Sequence, residues 1–155
     1  MKARDILHLL LTCSLLSVLC MGCATRRPVD NSLPPTELDK EQVWQLVAMR
    51  GKDVAKTPVV VLMFHPESGT LRGNVVCNRY FADYSLRLDR VTADGTRYNL
   101  KVLYASGGDV QCPEGDMAFQ ERYIALLGKA DACLLTPYTL TLFQKGKETL
   151  KFELQ

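Results

Sequence analysis

Histidine is almost missing from this chain: two of 155 residues, and one of them, His8, falls in an apolar N-terminal stretch. For the folded part only His65 remains. A Ser-His-Asp or Cys-His triad would have to run through it, and a zinc site built from several histidines is excluded. His65 stands before Pro66 at the end of a β-branched run, where an exposed turn residue is the expected role. There is no glycine-rich phosphate loop, no Cys-x-x-Cys pair in the domain and no Asp-rich calcium loop. Glu114, Asp116 and Glu121 share one predicted helix. Acids near a helix N-terminus complement its dipole, so these three are not read as a glycosidase pair. A large excess of one charge is lacking too, since 19 basic residues face 17 acidic ones. A nucleic-acid partner wants a strong basic excess. The expectation from these absences is a protein that is not an enzyme, uses no cofactor or metal, and binds no nucleic acid.

What the chain does have is a leader. Lys2 and Arg4 precede an apolar run from Ile6 to Met21, interrupted by His8, Thr12, Cys13, Ser14, Ser17 and Cys20. A charged start, an apolar middle and small residues before a cut are what a secretory signal needs. The run is too short and too interrupted for a spanning helix of about 20 apolar residues. Gly22-Cys23 reads as the end of a bacterial lipobox, with Cys20 at the position where Leu is usual and Leu19 one place further back. Two alternatives stay open: cleavage after Ala24 and secretion, or an uncleaved anchor. The leading reading is a signal peptide over residues 1–22 and a lipidated Cys23 that holds the protein on the membrane of the bacterial cell envelope, at a periplasmic or outer-membrane face. Residues 23–40 form a Pro- and Arg-containing tether too poor in apolar residues to offset its ordering entropy. Lys2, Arg4 and Asp5 leave with the leader, so 133 residues remain with 17 basic and 16 acidic side chains. That is one domain by length, residues 41–155, large enough for its own core.

The domain reads as short strands. Val43, Trp44, Leu46 and Val47 suggest a first strand closed by an Arg50-Gly51 turn. Val59 to Phe64 is β-branched, Pro66-Glu67-Ser68-Gly69 is a turn, and Thr70 to Cys77 returns. Leu86, Leu88 and Arg90 alternate with Arg87 and Asp89; Asp94-Gly95 is the strongest hairpin signal. Tyr98, Leu100, Val102 and Tyr104 then share one face. Pro113, Glu114 and Asp116 open a helix, with Phe119, Tyr123, Leu126 and Leu127 at helical spacing and Gly128 as its stop. A last hairpin turns at Lys145-Gly146-Lys147, with Leu150, Phe152 and Leu154 on one face. The expected fold is mainly β: a small curled antiparallel sheet or barrel of about seven or eight strands with one packed helix.

Three cysteines remain for the domain, Cys77, Cys112 and Cys133. Outside the cytoplasm disulfides form and persist. Cys77 ends a strand and Cys112 precedes the helix, both at the domain rim, which favours a Cys77–Cys112 bridge; the alternative is three free buried thiols. Cys133 lies in an apolar run and reads as a small buried hydrophobe.

Gly73-Asn74-Val75-Val76-Cys77-Asn78-Arg79 followed by Ala82-Asp83-Tyr84 resembles the signature of the META domain (HslJ-like) family: a Gly, two variable residues, Gly-Cys-Asn-Arg, a spacer, then Gly-x-Tyr. Trp44-Gln45-Leu46-Val47 is similar to the family's opening strand, and Val110-Gln111-Cys112-Pro113 to its second cysteine before a helix. Glu121 to Leu127, and Tyr138 to Phe143 with Gly146 and Phe152, resemble its helix and closing hairpin. Val76 and Ala82 stand where the pattern has glycine, so a segment that needs unusual backbone angles there must be built differently. Asn78 and Arg79 either brace the turn or mark a ligand site. The resemblance implies a small β-barrel-like domain, common on bacterial lipoproteins and secreted proteins linked to heat-shock response, antibiotic tolerance and secretion. The expected function is that of a non-enzymatic envelope lipoprotein in envelope maintenance or stress tolerance, meeting an unknown envelope protein or small ligand. The alternatives are an inhibitor of an envelope-directed hydrolase such as lysozyme, or a carrier of a small apolar ligand.

Overall fold

The computed structural model describes Leu38 and residues 42–55 and 59–155. Among them the order is β1 (Val43–Met49), β2 (Lys52–Asp53), β3 (Val61–His65), β4 (Thr70–Val75), β5 (Asn78–Thr92), β6 (Gly95–Gly107), α1 (Glu114–Leu127), β7 (Ala132–Leu135), β8 (Thr139–Gln144) and β9 (Lys147–Leu154). Strands β3 to β9 pair antiparallel in sequence order, and β1 bridges β3 and β9. The sheet thus closes into an eight-stranded barrel, with the two-residue β2 appended to β1. At the seam Trp44 faces Leu154 and Leu46 faces Phe152. The Gln155 amide donates to the Val43 carbonyl at 3.0 Å.

Alternation decides which side chains enter. Trp44 and Leu46 of β1, Leu62 and Phe64 of β3, Leu140 and Leu142 of β8, and Leu150 and Phe152 of β9 all point inward and are buried. Each such side chain contributes roughly 1.5–3 kcal/mol relative to exposure. A small barrel of this size is filled by its own residues. Leu38, inside the stretch read as tether, is also buried in this core, so the packed domain reaches back past residue 41. The leader, Cys23 and the rest of the tether lie outside the described residues. Among the described residues no helix is long and apolar enough to cross a membrane.

The turns follow their residues, with one shift. Arg50-Gly51 (φ 53° and 70°) and Lys145-Gly146 (φ 50° and 75°) are left-handed pairs between tightly paired strands, the pattern of type I′ hairpins. The Asp94-Gly95 signal lands one residue off. Thr92 pairs with Gly95, so the loop is Ala93-Asp94 and Gly95 begins β6. Gly95 is needed there for space: a Cβ would run into the Leu135 carbonyl on β7. Tyr104 also departs from its expected inward face. The β5–β6 register slips between Phe81 and Asp83, Tyr104 takes φ 53°, and its ring ends 81 % exposed. A bulge of this kind re-aims a side chain.

Helix α1 begins after Pro113, carries Glu114 and Asp116 in its first turn, and ends at Gly128. Gly128 keeps a right-handed φ of −65° and donates to the Ile124 carbonyl, so the stop does not use glycine's left-handed freedom. Tyr123, Leu126 and Leu127 face the barrel, and with them the polar Gln120. The helix packs against β6 and β9.

Candidate functional site

Residues 73–84 do not form a loop. They are the end of β4, a two-residue turn and the start of β5, with Val75 paired to Asn78. The turn is Val76-Cys77. Val76 holds φ 56°, a left-handed angle that costs a β-branched residue roughly 1–2 kcal/mol. Val76 therefore does with strain what glycine does freely in the family pattern. Ala82, at the other replaced glycine, is ordinary strand, buried and paired with Leu71. Gly73 is required by contact: a Cβ would meet the Val61 carbonyl and the Tyr80 ring.

The turn is tied to the segment that leads into α1. Cys77 and Cys112 form a disulfide with Cα atoms 6.1 Å apart. Beside it Asn78, 3 % exposed, grips the Val110 peptide from both sides. Its Nδ2 donates to the Val110 carbonyl at 2.9 Å and its Oδ1 accepts from the Val110 amide at 3.0 Å. A side-chain amide is the group that can replace a strand partner in this way, since it carries donor and acceptor together. Gly108 donates to the Arg79 carbonyl at 2.8 Å, and Gln120 Nε2 donates to the Gly108 carbonyl at 3.0 Å. Asn78 is thus a brace. Arg79 next to it points outward and is exposed.

Below the brace lies a buried phenol pair. Tyr80 donates to the Val61 carbonyl at 2.8 Å, and the Tyr80 and Tyr123 hydroxyls are 2.7 Å apart. A carbonyl only accepts, so Tyr80 commits its one proton to Val61 and Tyr123 must donate to Tyr80. Burial pushes both phenols well above their usual value of 10.0, with the Tyr123 charge adding to the shift of Tyr80. Neither is poised to exchange protons near neutral pH.

Next to this frame is an open groove of about 600 Å³ between the β1–β2 hairpin, the β4–β5 turn and the first half of α1. Met49, Val54, Val76 and Phe119 give it an apolar surface, each half-buried against the core. Arg50 and Lys52 stand on the hairpin side and Arg122 on the helix side. Asp53 and Asp116 also line it. No carboxylate among the described residues pairs with Arg50, Lys52 or Arg122.

The other residues singled out from the sequence lie elsewhere. Trp44 is core, 1 % exposed, and its indole nitrogen has no hydrogen-bond partner among the described residues. Tyr84 is half-buried and meets the Phe64 ring edge-on at 5.2 Å. His65 is half-buried at the end of β3, not fully exposed, and does not line the groove. Cys133 is a buried free thiol that burial pushes up to about 12, with Arg97 opposing. The phenol pair and the groove cations carry no signature in the sequence. The one available signal was Gln120, a polar residue on the apolar stripe of the helix.

A closed antiparallel barrel crossed by one helix, with its helix entry locked to a β-turn by a disulfide and an asparagine, defines the class of this protein. The family model of the META domain matches residues 36–155, and the chain belongs to that family. Among solved structures it resembles the NMR structure of a protein from Burkholderia xenovorans, at 19% identity over 84% of this chain and 97% of that one, with a TM-score of 0.57. A second protein solved by NMR matches at 20% identity over 74% of this chain and 89% of that one, with a TM-score of 0.50. At these identities the likeness concerns the fold. No curated protein matches the chain.

Proposed function

We propose that this META-domain protein is a non-catalytic binding module of the bacterial cell envelope, held at the membrane by lipidated Cys23, that works through the groove beside α1 in envelope maintenance or stress tolerance. The observation that carries this reading is the rigid frame around that groove. The family's Cys-Asn-Arg segment places its disulfide and its buried amide in the scaffold, and the open apolar surface lies next to them. Binding surfaces of this kind are concave, mostly apolar and pre-formed. The leader ending in Gly22-Cys23 supports the location. The barrel interior is filled by side chains such as Trp44, Phe64 and Phe152, so a small apolar ligand would be carried on the groove and not inside the barrel.

Two measurements test this. Cys23→Ser is expected to leave the protein soluble and without acyl mass; unchanged membrane fractionation and intact mass would remove the anchor. Gly115→Trp is expected to fill the groove without disturbing the fold, because nothing lies within 4 Å of a Cβ at that position. Loss of a bound apolar fluorescent probe at an unchanged melting temperature is the expected result. Undiminished probe binding would remove the groove as the working surface.

A further inference from the structure

We infer that the groove takes a single-chain anionic amphiphile, its acyl chain along Met49, Val54, Val76 and Phe119 and its carboxylate or phosphate head between Arg50, Lys52 and Arg122. This rests on the groove being the binding surface, as proposed above, and adds the chemistry of what it binds. Three observations converge. The apolar side chains come from three elements, β1–β2, the β4–β5 turn and α1, and all line one groove and pack half-buried against the core, so they offer apolar surface on which methylenes leave water. The cations approach from opposite walls, Arg50 and Lys52 from the hairpin and Arg122 from the helix, and none has a carboxylate partner among the described residues. An anion between them would meet charge that the fold leaves uncompensated. Asp53 and Asp116 line the same groove and leave an excess of one positive charge, which suits one small head group and disfavours a polyanion. The site is also pre-organised. Arg50 sits in a two-residue turn at φ 53°, and Val76 in a turn tied through Cys77 to Cys112. Rigid walls reduce the ordering cost of binding. Gly115 lines the groove on the α1 side, and a Cβ placed there meets nothing within 4 Å, so that stretch of the wall is open.

The test uses the full chain carrying Cys23→Ser, so that its own acyl chains do not compete, and titrates it by calorimetry with dodecanoate and with the neutral dodecanol. Dodecanoate is expected to bind about tenfold more tightly. Lys52→Gln with Arg122→Gln, both exposed, is expected to weaken dodecanoate about tenfold and to change dodecanol by less than about twofold. Gly115→Trp is expected to abolish both. Transfer of a labelled lysophosphatidylglycerol from vesicles would assign the source to a bilayer, and binding of monomeric dodecanoate alone would assign it to free acid; either supports the proposal. Equal affinity for dodecanol, or an unchanged double variant, overturns the anionic head while leaving the groove. Binding that survives Gly115→Trp overturns both the ligand and the groove. A dimer that dissociates on Gly115→Trp, with no amphiphile bound, gives the groove to a second copy and overturns the proposal.

Discussion

The Val61 carbonyl fixes the direction of the buried phenol pair, and that direction makes the two tyrosines unequal. Tyr80→Phe leaves Val61 without its donor and Tyr123 without its acceptor, both in the core. Tyr123→Phe leaves Tyr80 still bonded to Val61. Equilibrium urea unfolding should therefore show about 2–3 kcal/mol lost for Tyr80→Phe and about 1 kcal/mol for Tyr123→Phe; equal losses would mean the donor order is wrong. Val76 gives a second residue-scale prediction. Glycine is ordinarily less stabilising than alanine by roughly 0.5–1 kcal/mol in a strand. At φ 56° the order should invert, with Val76→Gly more stable than Val76→Ala by about 1 kcal/mol in the same assay. Alanine proving the better residue would show that the turn does not hold this angle. This strain was legible as a question, since Val76 stands where the family pattern has glycine. The answer depends on the Val75–Asn78 pairing, which only the folded hairpin reveals.

Among the elements, the hairpin β4–β5 and helix α1 are joined by one covalent bond. The bridge spans a sequence separation of 35 and should contribute about 3–4 kcal/mol on the chain-entropy account. Reduction should raise the intact mass by about two daltons and lower the urea midpoint accordingly; an unchanged mass would leave the two thiols unbridged. The strands show where alternation suffices as a guide and where it fails. It locates β1, β3, β8 and β9, whose large apolar side chains alternate inward even though β1 and β8 each carry a register shift against β9, and the turns at Arg50-Gly51 and Lys145-Gly146 carry residues that tolerate left-handed angles. It fails where long strands slip register. β5 runs 15 residues and pairs with β6 through two irregularities, so the inward row Tyr98, Leu100, Val102 stops before Tyr104. Periodicity cannot foresee an extra residue that neither strand announces. Only Asn78 to Asp83 of β5 pair with β4, so its distal half is an open edge among the described residues. Exposed Arg87 and Arg90 and the irregularity at Asp89 are the devices that discourage such an edge from pairing with another chain.

For the whole molecule, burial of weak acids couples stability to alkaline pH. Cys133 is pushed up from 9.0 to about 12, chiefly by burial, and Tyr80 and Tyr123 lie well above 10.0 for the same reason. The folded state holds these protons after the unfolded chain has released its own. Stability is therefore fully present below about pH 9 and falls as pH rises beyond it. Thermal melts should show no pH dependence from these groups near neutral pH and a decline beginning near pH 9. In Cys133→Ala the decline should begin nearer pH 10, where the tyrosines take over; an unshifted onset would mean that Cys133 is not sealed from water. The groove stayed invisible to the sequence for a reason of the same scale, because its walls are far apart along the chain and meet only when the barrel has closed.

That closure also sets a timetable. The seam between β1 and β9 joins segments separated by nearly the whole domain, so no partial chain can own a finished core. A nascent polypeptide can therefore shut the barrel only after β9 has been released, however many of its inward rows are already made.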